Sequence, residues 1–491
     1  MNWMKALADC YLQIGTQYPG EPRMLVTDID GTVIDMRYLV LSVLQSYDEA
    51  QGSAYFTRLR LSDVTEHENK VELLLERVAV PASERKAVVD WYLERRWQDD
   101  TILSKHRPFP GVFPMIRWFQ LQPDTSVGLL TGRPEKLRDV TLRSLNRLGH
   151  PHRVHFSDEL LMMNPGDWGQ DVEATKIDGL KRFQAQGYHV FAVIDNEPSV
   201  LEALAPIAEK TGMLLLHANT MFESLPISIP QGTARGNDFG LTDLVASEEA
   251  LPPKVQLVWH GVNDADNLRQ FITSDVFWAE VDVRHNSAGE LICRHDSFET
   301  TPPLHDEDWL NFAGMVSEVA KHDRGIKIDL KGGREVLEEV LQIVADEGFT
   351  EDRLWFNGEI EIAREEGFRR IRTVHPDAIV QCPVGWLSPL IIGMPSEAHR
   401  TLEMLTSWGI SRFSLNWDHY LARESFDELV GWGYEVNFYG VPDLEAFLEA
   451  VLLLPHSVTS DFNFPKWHRY GRGSGSHGRR FTYVIDSEGS Q

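Results

Sequence analysis

Three short apolar runs, each closing on polar residues, mark the first half of the chain: MLVTD at 24–28, VGLLT at 127–131 and VFAVID at 190–195. Long helical stretches separate them, which is the pattern of an open α/β sheet. Between the first two runs, residues 36–108 are mainly helical in pattern, with Val89, Leu93 and Trp97 recurring every fourth residue behind Ser83, a suitable N-cap. This predicts a helical cap inserted into a sheet domain that spans 1–218. Residues 219–253 lose periodicity and gather Pro, Gly, Asn and Asp, so they read as a linker. After them a cycle of strand and helix repeats eight times. Its strands are LVWHG (257–261), WAEVDVR (278–284), GIKIDLK (325–331), RLWFNGE (353–359), AIVQCPV (378–384), RFSLNWD (412–418), YEVNFYG (434–440) and SVTSDFN (457–463). Amphipathic segments such as REVLEEVLQIVADEG fill the gaps. Eight units within 254–466 predict a (β/α)₈ barrel of the TIM type, making the whole an α/β protein of two domains. A Gly-, Ser- and Arg-rich tail, 467–491, follows and is expected to be mobile in part.

The polar ends of these strands carry the candidate chemistry. Asp28 and Asp30, in DIDGT, stand one residue apart at the carboxyl end of a strand, where open α/β sheets bind ligands. The period-two alternation of a strand lets both face one side, and Gly31 and Thr32 supply the turn that leaves it. One carboxylate can then attack phosphorus while the other handles the leaving group's proton, with a hard divalent ion to offset their charge. In the barrel, His260, Asp282, Lys331, Glu359, Asp418 and Asp461 fall at or near strand ends, the active face of that fold. Glu280 and Asp282 share a strand face, and Asp329 comes from the next strand of the cycle. Three carboxylates are thus expected to converge on one hard cation, Mg²⁺ or Ca²⁺. His260 and His295 flank that position and suit a phosphodiester: one ring removes a proton from the attacking hydroxyl, the other protonates the leaving oxygen. Lys331 would offset the charge that grows on phosphorus. Asn357, Glu359, Asn416, Asp418 and Asn437 are as readily rim residues of any barrel, and Asp35 and Asp48 read as solvated.

Composition narrows the partners. Of 491 residues 42% are hydrophobic and 25% charged, ordinary for a soluble globular chain. With 47 Lys and Arg against 74 Asp and Glu, the formal charge is −27, which disfavours a nucleic-acid partner and anionic membrane surfaces. Cys10, Cys293 and Cys382 are too few and too scattered for a disulfide framework or a structural zinc site. No run of 18 apolar residues and no cleavable leader pattern appear, so no membrane insertion is expected and the cytoplasm is the expected address.

The motifs of residues 24–215 resemble those of the haloacid dehalogenase superfamily of phosphatases. That resemblance implies Asp28 as a nucleophile that becomes an aspartyl phosphate, and Asp30 as general acid and base. It implies Thr131, in LLTGRP, as a hydrogen bond to the transferred phosphoryl group, beside Arg133 at the substrate. Lys176, in EATKIDGL, would screen charge, with Lys181 as its weaker rival. Asp195, in VIDNEP, would ligate Mg²⁺ with Asp28 and Asp30; Asn196 stands where the family often has a second acid, which leaves Glu197 or Ser199 as substitutes. Residues 255–465 resemble the glycerophosphodiester phosphodiesterase and phospholipase-type barrels through His260, Glu280–Asp282, His295–Asp296 and Asp329–Lys331. They depart from that pattern at Val262 and Asp329. WHGVN, EVDV and KIDLK are closer to the menorin family, a branch of the same barrels. This resemblance implies a cation held by Glu280, Asp282 and Asp329, with Asn263, Trp417 and Asp461 at the substrate. Together the two imply a bifunctional enzyme acting on small-molecule phosphodiesters and phosphomonoesters. Two rivals are a phosphatase whose barrel only binds a phospho-ligand, and an enzyme that processes nucleic-acid ends.

Overall fold

The computed structural model describes residues 2–167, 171–220, 228–245, 251–252, 254–303, 307 and 309–461. The tail expected at 467–491, and parts of the segment expected as linker, lie outside these residues. The chain divides into two compact units, Met1–Val245 and Ala246–Gln491.

The first unit is a six-stranded parallel sheet. Its strands are β1 (Arg23–Thr27), β2 (Thr125–Pro134), β3 (Leu161–Asn164), β4 (His189–Asp195), β5 (Leu214–Ala218) and β6 (Ala234–Gly236), in the order β3-β2-β1-β4-β5-β6. Helix α1 (Trp3–Gln17) precedes the first strand. The helices α2 (Arg37–Gln51), α3 (Val71–Arg77), α4 (Ala82–Arg95) and α5 (Asp99–Lys105) form the cap, and α6 (Val112–Leu121) leads back to β2. Helices α7 (Arg138–Gly149), α8 (Val172–Ala185) and α9 (Pro198–Thr211) complete the crossovers. One face of the sheet buries Met24, Val26, Leu130 and Val193 against Leu180 and Phe183 of α8 and Leu201 and Leu204 of α9. Elsewhere Tyr11 of α1 packs edge-on against Phe119 of α6 at 5.5 Å and meets Phe191 of β4 at the same distance. Hydrophobic surface on both faces explains why β1 and β4 read as continuous apolar runs. Within the segment expected as linker, β6 joins the sheet edge beside β5 and α10 (Leu241–Leu244) buries Leu241 and Leu244.

Two readings of the cap change. Helix α4 starts after Pro81, so Ser83 lies inside its first turn, and the buried stripe is Val88 and Tyr92, with Arg96 beyond, rather than Val89, Leu93 and Trp97. Adjacent i, i+4 stripes differ by one residue, and burial of the Tyr92 ring, whose hydroxyl donates to Glu68 O at 3.0 Å, selects between them. Asp48, expected in solvent, is buried at the end of α2. Its carboxylate accepts from Ser53 Oγ, Tyr55 N, Phe56 N, Thr57 N and Thr57 Oγ1 at 2.6–3.1 Å. Asp35 is buried too and pairs with Arg37 at 2.6 Å.

In the second unit β7 (Gln256–Trp259), β8 (Trp278–His285), β10 (Gly325–Leu330), β11 (Leu354–Gly358), β12 (Ile379–Pro383), β13 (Arg412–Asn416), β14 (Glu435–Tyr439) and β15 (Ser457–Ser460) pair in parallel. The pairings β15–β7 and β10–β8 close them into an eight-stranded barrel, and β9 (Leu291–Cys293) adds an antiparallel strand to β8. The helix Arg334–Asp346 presents Val336, Leu337, Val340, Leu341 and Val344 as its buried stripe. Inside the barrel Trp355 packs edge-on against Trp278 at 5.5 Å, with Arg412 over its ring at 4.5 Å. Among the described residues no helix is long and apolar enough to cross a membrane.

Asp48→Asn is expected to lower stability by about 1–3 kcal/mol, because the amide can no longer accept all these donors. Burial opposes the Asp48 charge, but hydrogen bonds from Ser53, Phe56, Thr57 and Tyr55 outweigh it and hold the carboxyl below its ordinary value. Its contribution is therefore present above about pH 4 and lost as pH falls through the lower folded-state value. Thermal unfolding of wild type and variant between pH 7 and pH 3 checks this: the gap between their melting temperatures should narrow towards pH 3.

Candidate active sites

In the first unit the ends of β1, β2 and β4 meet. The β1–β4 ladder continues one residue past β1, Asp28 N–H donating to Ile194 O at 2.9 Å, and the chain then turns back. Ile29 O closes that turn by accepting from Val33 N and Ile34 N at 2.9 and 2.8 Å. Gly31 has φ +78°, and a Cβ there would stand 2.6 Å from Asn196 Nδ2, so both backbone and neighbour require glycine.

Lys176, on α8, is buried between two carboxylates, its Nζ 2.8 Å from Asp28 Oδ1 and 2.7 Å from Asp195 Oδ2. Burial pushes the Asp28 carboxyl well above its usual range; Lys176 opposes this, while Asp195 and Asp30 add to it. Asp195 is raised by burial in the same way, against the pull of Lys176. Lys181 is exposed and 3.9 Å from Asp178, so of the two lysines Lys176 is at the site. Thr131 is buried beside it on β2, and its hydroxyl accepts from Arg133 N at 3.2 Å.

Arg133, expected at the substrate, is fully buried and turned to its own neighbours. Its Nε and Nη2 donate to the two oxygens of Asp30 at 2.8 and 2.5 Å, and Nη1 donates to Thr141 Oγ1 at 3.0 Å. It therefore fixes the orientation of Asp30. Sequence reasoning also missed the cap's contribution. His67 Nε2 lies 2.9 Å from Glu197 Oε1, and its Nδ1 lies 3.3 Å from the buried Glu68, whose carboxyl burial pushes up to about 7. Glu197 is thus taken by the cap, while its N–H donates to Asp195 Oδ1 at 2.9 Å. Asn196 is buried behind Gly31.

In the barrel, strand register gathers the site. Asp282 of β8 lies level with Asp329 of β10, and Glu280 lies level with Lys327 one pleat deeper. Ligand oxygens of Glu280, Asp282 and Asp329 all fall within 4.8 Å of one another, among the described residues the one such group of three. Hard oxygen donors at this spacing fit Mg²⁺ or Ca²⁺. In the first unit Lys176 stands between Asp28 and Asp195 and Arg133 holds Asp30, and these three carboxylates do not close in the same way.

Lys331 Nζ bridges Asp329 Oδ2 at 2.9 Å and Asp282 Oδ1 at 3.2 Å. Burial opposes the Asp282 charge, yet Lys331, His295 and His260 together bring its pKa down to about 2. His260 Nδ1 meets Asp461 Oδ1 at 2.6 Å, with Nε2 4.0 Å from Glu280 Oε2. Burial disfavours its imidazolium, but Glu280, Asp461 and Asp282 prevail and raise it to about 10. His295 Nδ1 likewise meets Asp296 Oδ1 at 2.7 Å. A carboxylate at each Nδ1 makes Nε2 the atom that can exchange a proton with a ligand. Asn263 receives and donates around Asp282, its Nδ2 2.7 Å from Asp282 Oδ2 and its Oδ1 3.0 Å from Asp282 N.

A cavity of about 340 Å³ opens at this end of the barrel, lined by His260, Glu280, His295, Asp329 and Lys331. Lys327, Asn357, Glu359, Tyr439 and the exposed Trp386 also line it. Lys327 was legible, since it shares strand parity with Asp329 and Lys331; Trp386, in the short 3₁₀ turn Gly385–Leu387, gave no such signal. Trp417 is not in this lining. It packs edge-on against Phe438 at 5.1 Å beneath Arg423 at 4.5 Å, because it follows the end of β13 and its ring turns to the helix layer.

No family model matches the chain, and no curated protein matches it. Among solved structures, a glycerophosphodiester phosphodiesterase from Parabacteroides distasonis matches at 14% identity and TM-score 0.33, over 43% of this chain and 93% of its own. A phosphodiesterase from Oleispira antarctica, in complex with the product sn-glycerol-3-phosphate, matches at 14% and 0.32, over 43% and 94%. A HAD-superfamily hydrolase of subfamily IA from Geobacter sulfurreducens matches at 15% and 0.29, over 45% and 95%. Both families that the sequence resembles are therefore represented among the similar structures.

Lys176→Met removes the cation shared by two buried carboxylates and is expected to destabilise the first unit by about 3–5 kcal/mol. Lys181→Met, on the surface, should stay within about 0.5 kcal/mol. Urea unfolding of both variants tests the contrast, and equal effects would refute it.

Proposed function

We propose that the chain is a bifunctional hydrolase of phosphoric esters, its barrel opening a phosphodiester and its capped α/β unit removing phosphate from a monoester. The observation that carries this reading is the meeting, at one cavity, of Glu280 and Asp329 from a cluster of three carboxylates completed by the buried Asp282, with Lys331 and two histidines each oriented by its own carboxylate. Folding alone gives no reason to gather buried like charges in this way.

In the barrel one imidazole takes a proton from the attacking water as its oxygen bonds to phosphorus, and the other protonates the departing alcohol, each through Nε2, which leaves a phosphomonoester. Asp461 and Asp296 hold the rings in the orientation that this requires. Lys331 stands where it can offset the charge that develops on the phosphoryl oxygens. A cation held by Glu280, Asp282 and Asp329 would supply Lewis-acid polarisation of the phosphoryl group.

In the α/β unit Asp28 attacks phosphorus and forms an aspartyl phosphate as the alcohol leaves with a proton from Asp30. Asp30 then takes a proton from the water that attacks this phosphorus, which frees phosphate and restores Asp28. Arg133 keeps the Asp30 carboxyl in place, Lys176 holds Asp28, and Thr131, whose oxygen accepts from Arg133 N, would donate its hydroxyl proton to a phosphoryl oxygen. Linking the two activities in one chain raises the local concentration of an intermediate that passes between them. The departures at Val262 and Asp329 and the KIDLK phrase bring the barrel nearer the menorin branch than the commoner diesterases.

Wild type, Asp28→Asn and His260→Ala, assayed with Mg²⁺ on p-nitrophenyl phosphate and bis-p-nitrophenyl phosphate, test the reading. Asp28→Asn should lose monoester turnover by at least about a hundredfold and keep diester cleavage, and His260→Ala should do the reverse. Loss of both activities in Asp28→Asn would reject the barrel as a diesterase.

A further inference from the structure

A second cavity, of about 770 Å³, adjoins the candidate catalytic cavity, and Lys331 and Glu361 line both. Its walls come from the loop after β10 with the helix Arg334–Asp346, and from the start of the helix Ile360–Val374 after β11. The proton transfers described above make no use of it. Leu330, Leu337, Ile362 and Ala363 form its apolar part.

Its charges are not balanced. Arg370 and Glu338 satisfy each other at 2.9 and 3.0 Å, and Glu361 belongs also to the catalytic cavity. Of the remaining charged groups in the lining, Arg334 and Arg364 outnumber Glu366, an excess of positive charge on a chain whose net charge is −27. The two arginines come from different elements, which lets them approach one ligand from two sides. Helix Arg334–Asp346 also starts here, with Gly333 as its N-cap and no capping side chain, so its positive end adds to that excess. Arg364 has φ +54° and ψ 176° within its helix, a conformation that L side chains rarely adopt, and the helix kinks there at the cavity wall.

We propose that this second cavity receives the alcohol half of the phosphodiester, and that this half carries an anionic group, a carboxylate or a second phosphate, held between Arg334 and Arg364. The proposal rests on the reading of the barrel as a phosphodiesterase. Lys331, at the junction, would face the scissile phosphoryl group, the apolar wall would cover the carbon chain, and the guanidinium groups would take the distal anion.

The test uses the full chain and p-nitrophenyl phosphodiesters whose second alcohol is 4-hydroxybutanoate or, as its neutral counterpart, pentanol. Wild type should favour the anionic diester in kcat/KM by about tenfold or more, as expected for charge-assisted hydrogen bonds. That ratio should fall towards one in Arg334→Ala and in Arg364→Gly, where glycine suits the positive φ. A ratio near one in wild type, or unchanged in both variants, would overturn the proposal. Calorimetric binding of ω-carboxyalkylphosphonates with two to five methylenes, against alkylphosphonates of equal length, gives a readout without turnover. If no diester is cleaved and the carboxylate is still preferred, with that preference lost in the variants, the anion site stands and the diesterase reading falls. Absence of that preference rejects the site whatever the turnover.

Discussion

A lysine between two carboxylates, buried in the first unit and half-buried in the second, is the interaction on which both depend. Lys176 joins Asp28 to Asp195 at 2.8 and 2.7 Å, and Lys331 joins Asp329 to Asp282 at 2.9 and 3.2 Å. Carboxylates drawn from separate strands repel one another and resist burial, and each ammonium group lets two of them share a site. Remaining charge is met locally, by Arg133 at Asp30 and by His260 at Glu280. The sites are thus preorganised by opposed charges before any ligand arrives.

Parallel strands supply the geometry. In the first unit β1 ends between β2 and β4, so Asp28, Thr131 and Asp195 emerge at one edge of the sheet, and α8 brings Lys176 over them. In the barrel the level pairing of Asp329 with Asp282 sets two like charges side by side, bridged by Lys331, and one pleat deeper Lys327 stands level with Glu280. Loops add what strands cannot. Asp461 follows the last strand and holds His260, while Asp296, next in sequence to His295, holds that ring.

Much of this was legible because period and spacing encode it. Apolar runs gave the strands, and the polar residue at each strand end gave Asp28, Thr131, Asp195, His260 and Asp461. Where one element offers two equivalent faces, sequence did not decide: Val88 and Tyr92 were hidden behind Val89 and Leu93 until the Tyr92 ring found its place. Asp48 looked like a solvated acid because its partners are mostly backbone N–H groups, which leave no trace in side-chain pattern. Trp417 looked like a rim residue, yet packing against Phe438 and Arg423 takes it away from the cavity.

The sequence by itself determined the two-unit α/β architecture, the order of the strands along the chain and the residue types available at their carboxyl ends, since these follow from local periodicity. Only the tertiary structure decided which charges meet. It placed Lys176 rather than Lys181 between two carboxylates, joined Arg133 to Asp30, brought His67 of the cap to Glu197 and opened a second cavity beside Lys331. Such pairings join residues far apart in the chain, and the cost of leaving a buried charge without its opposite, rather than any local pattern, selects them.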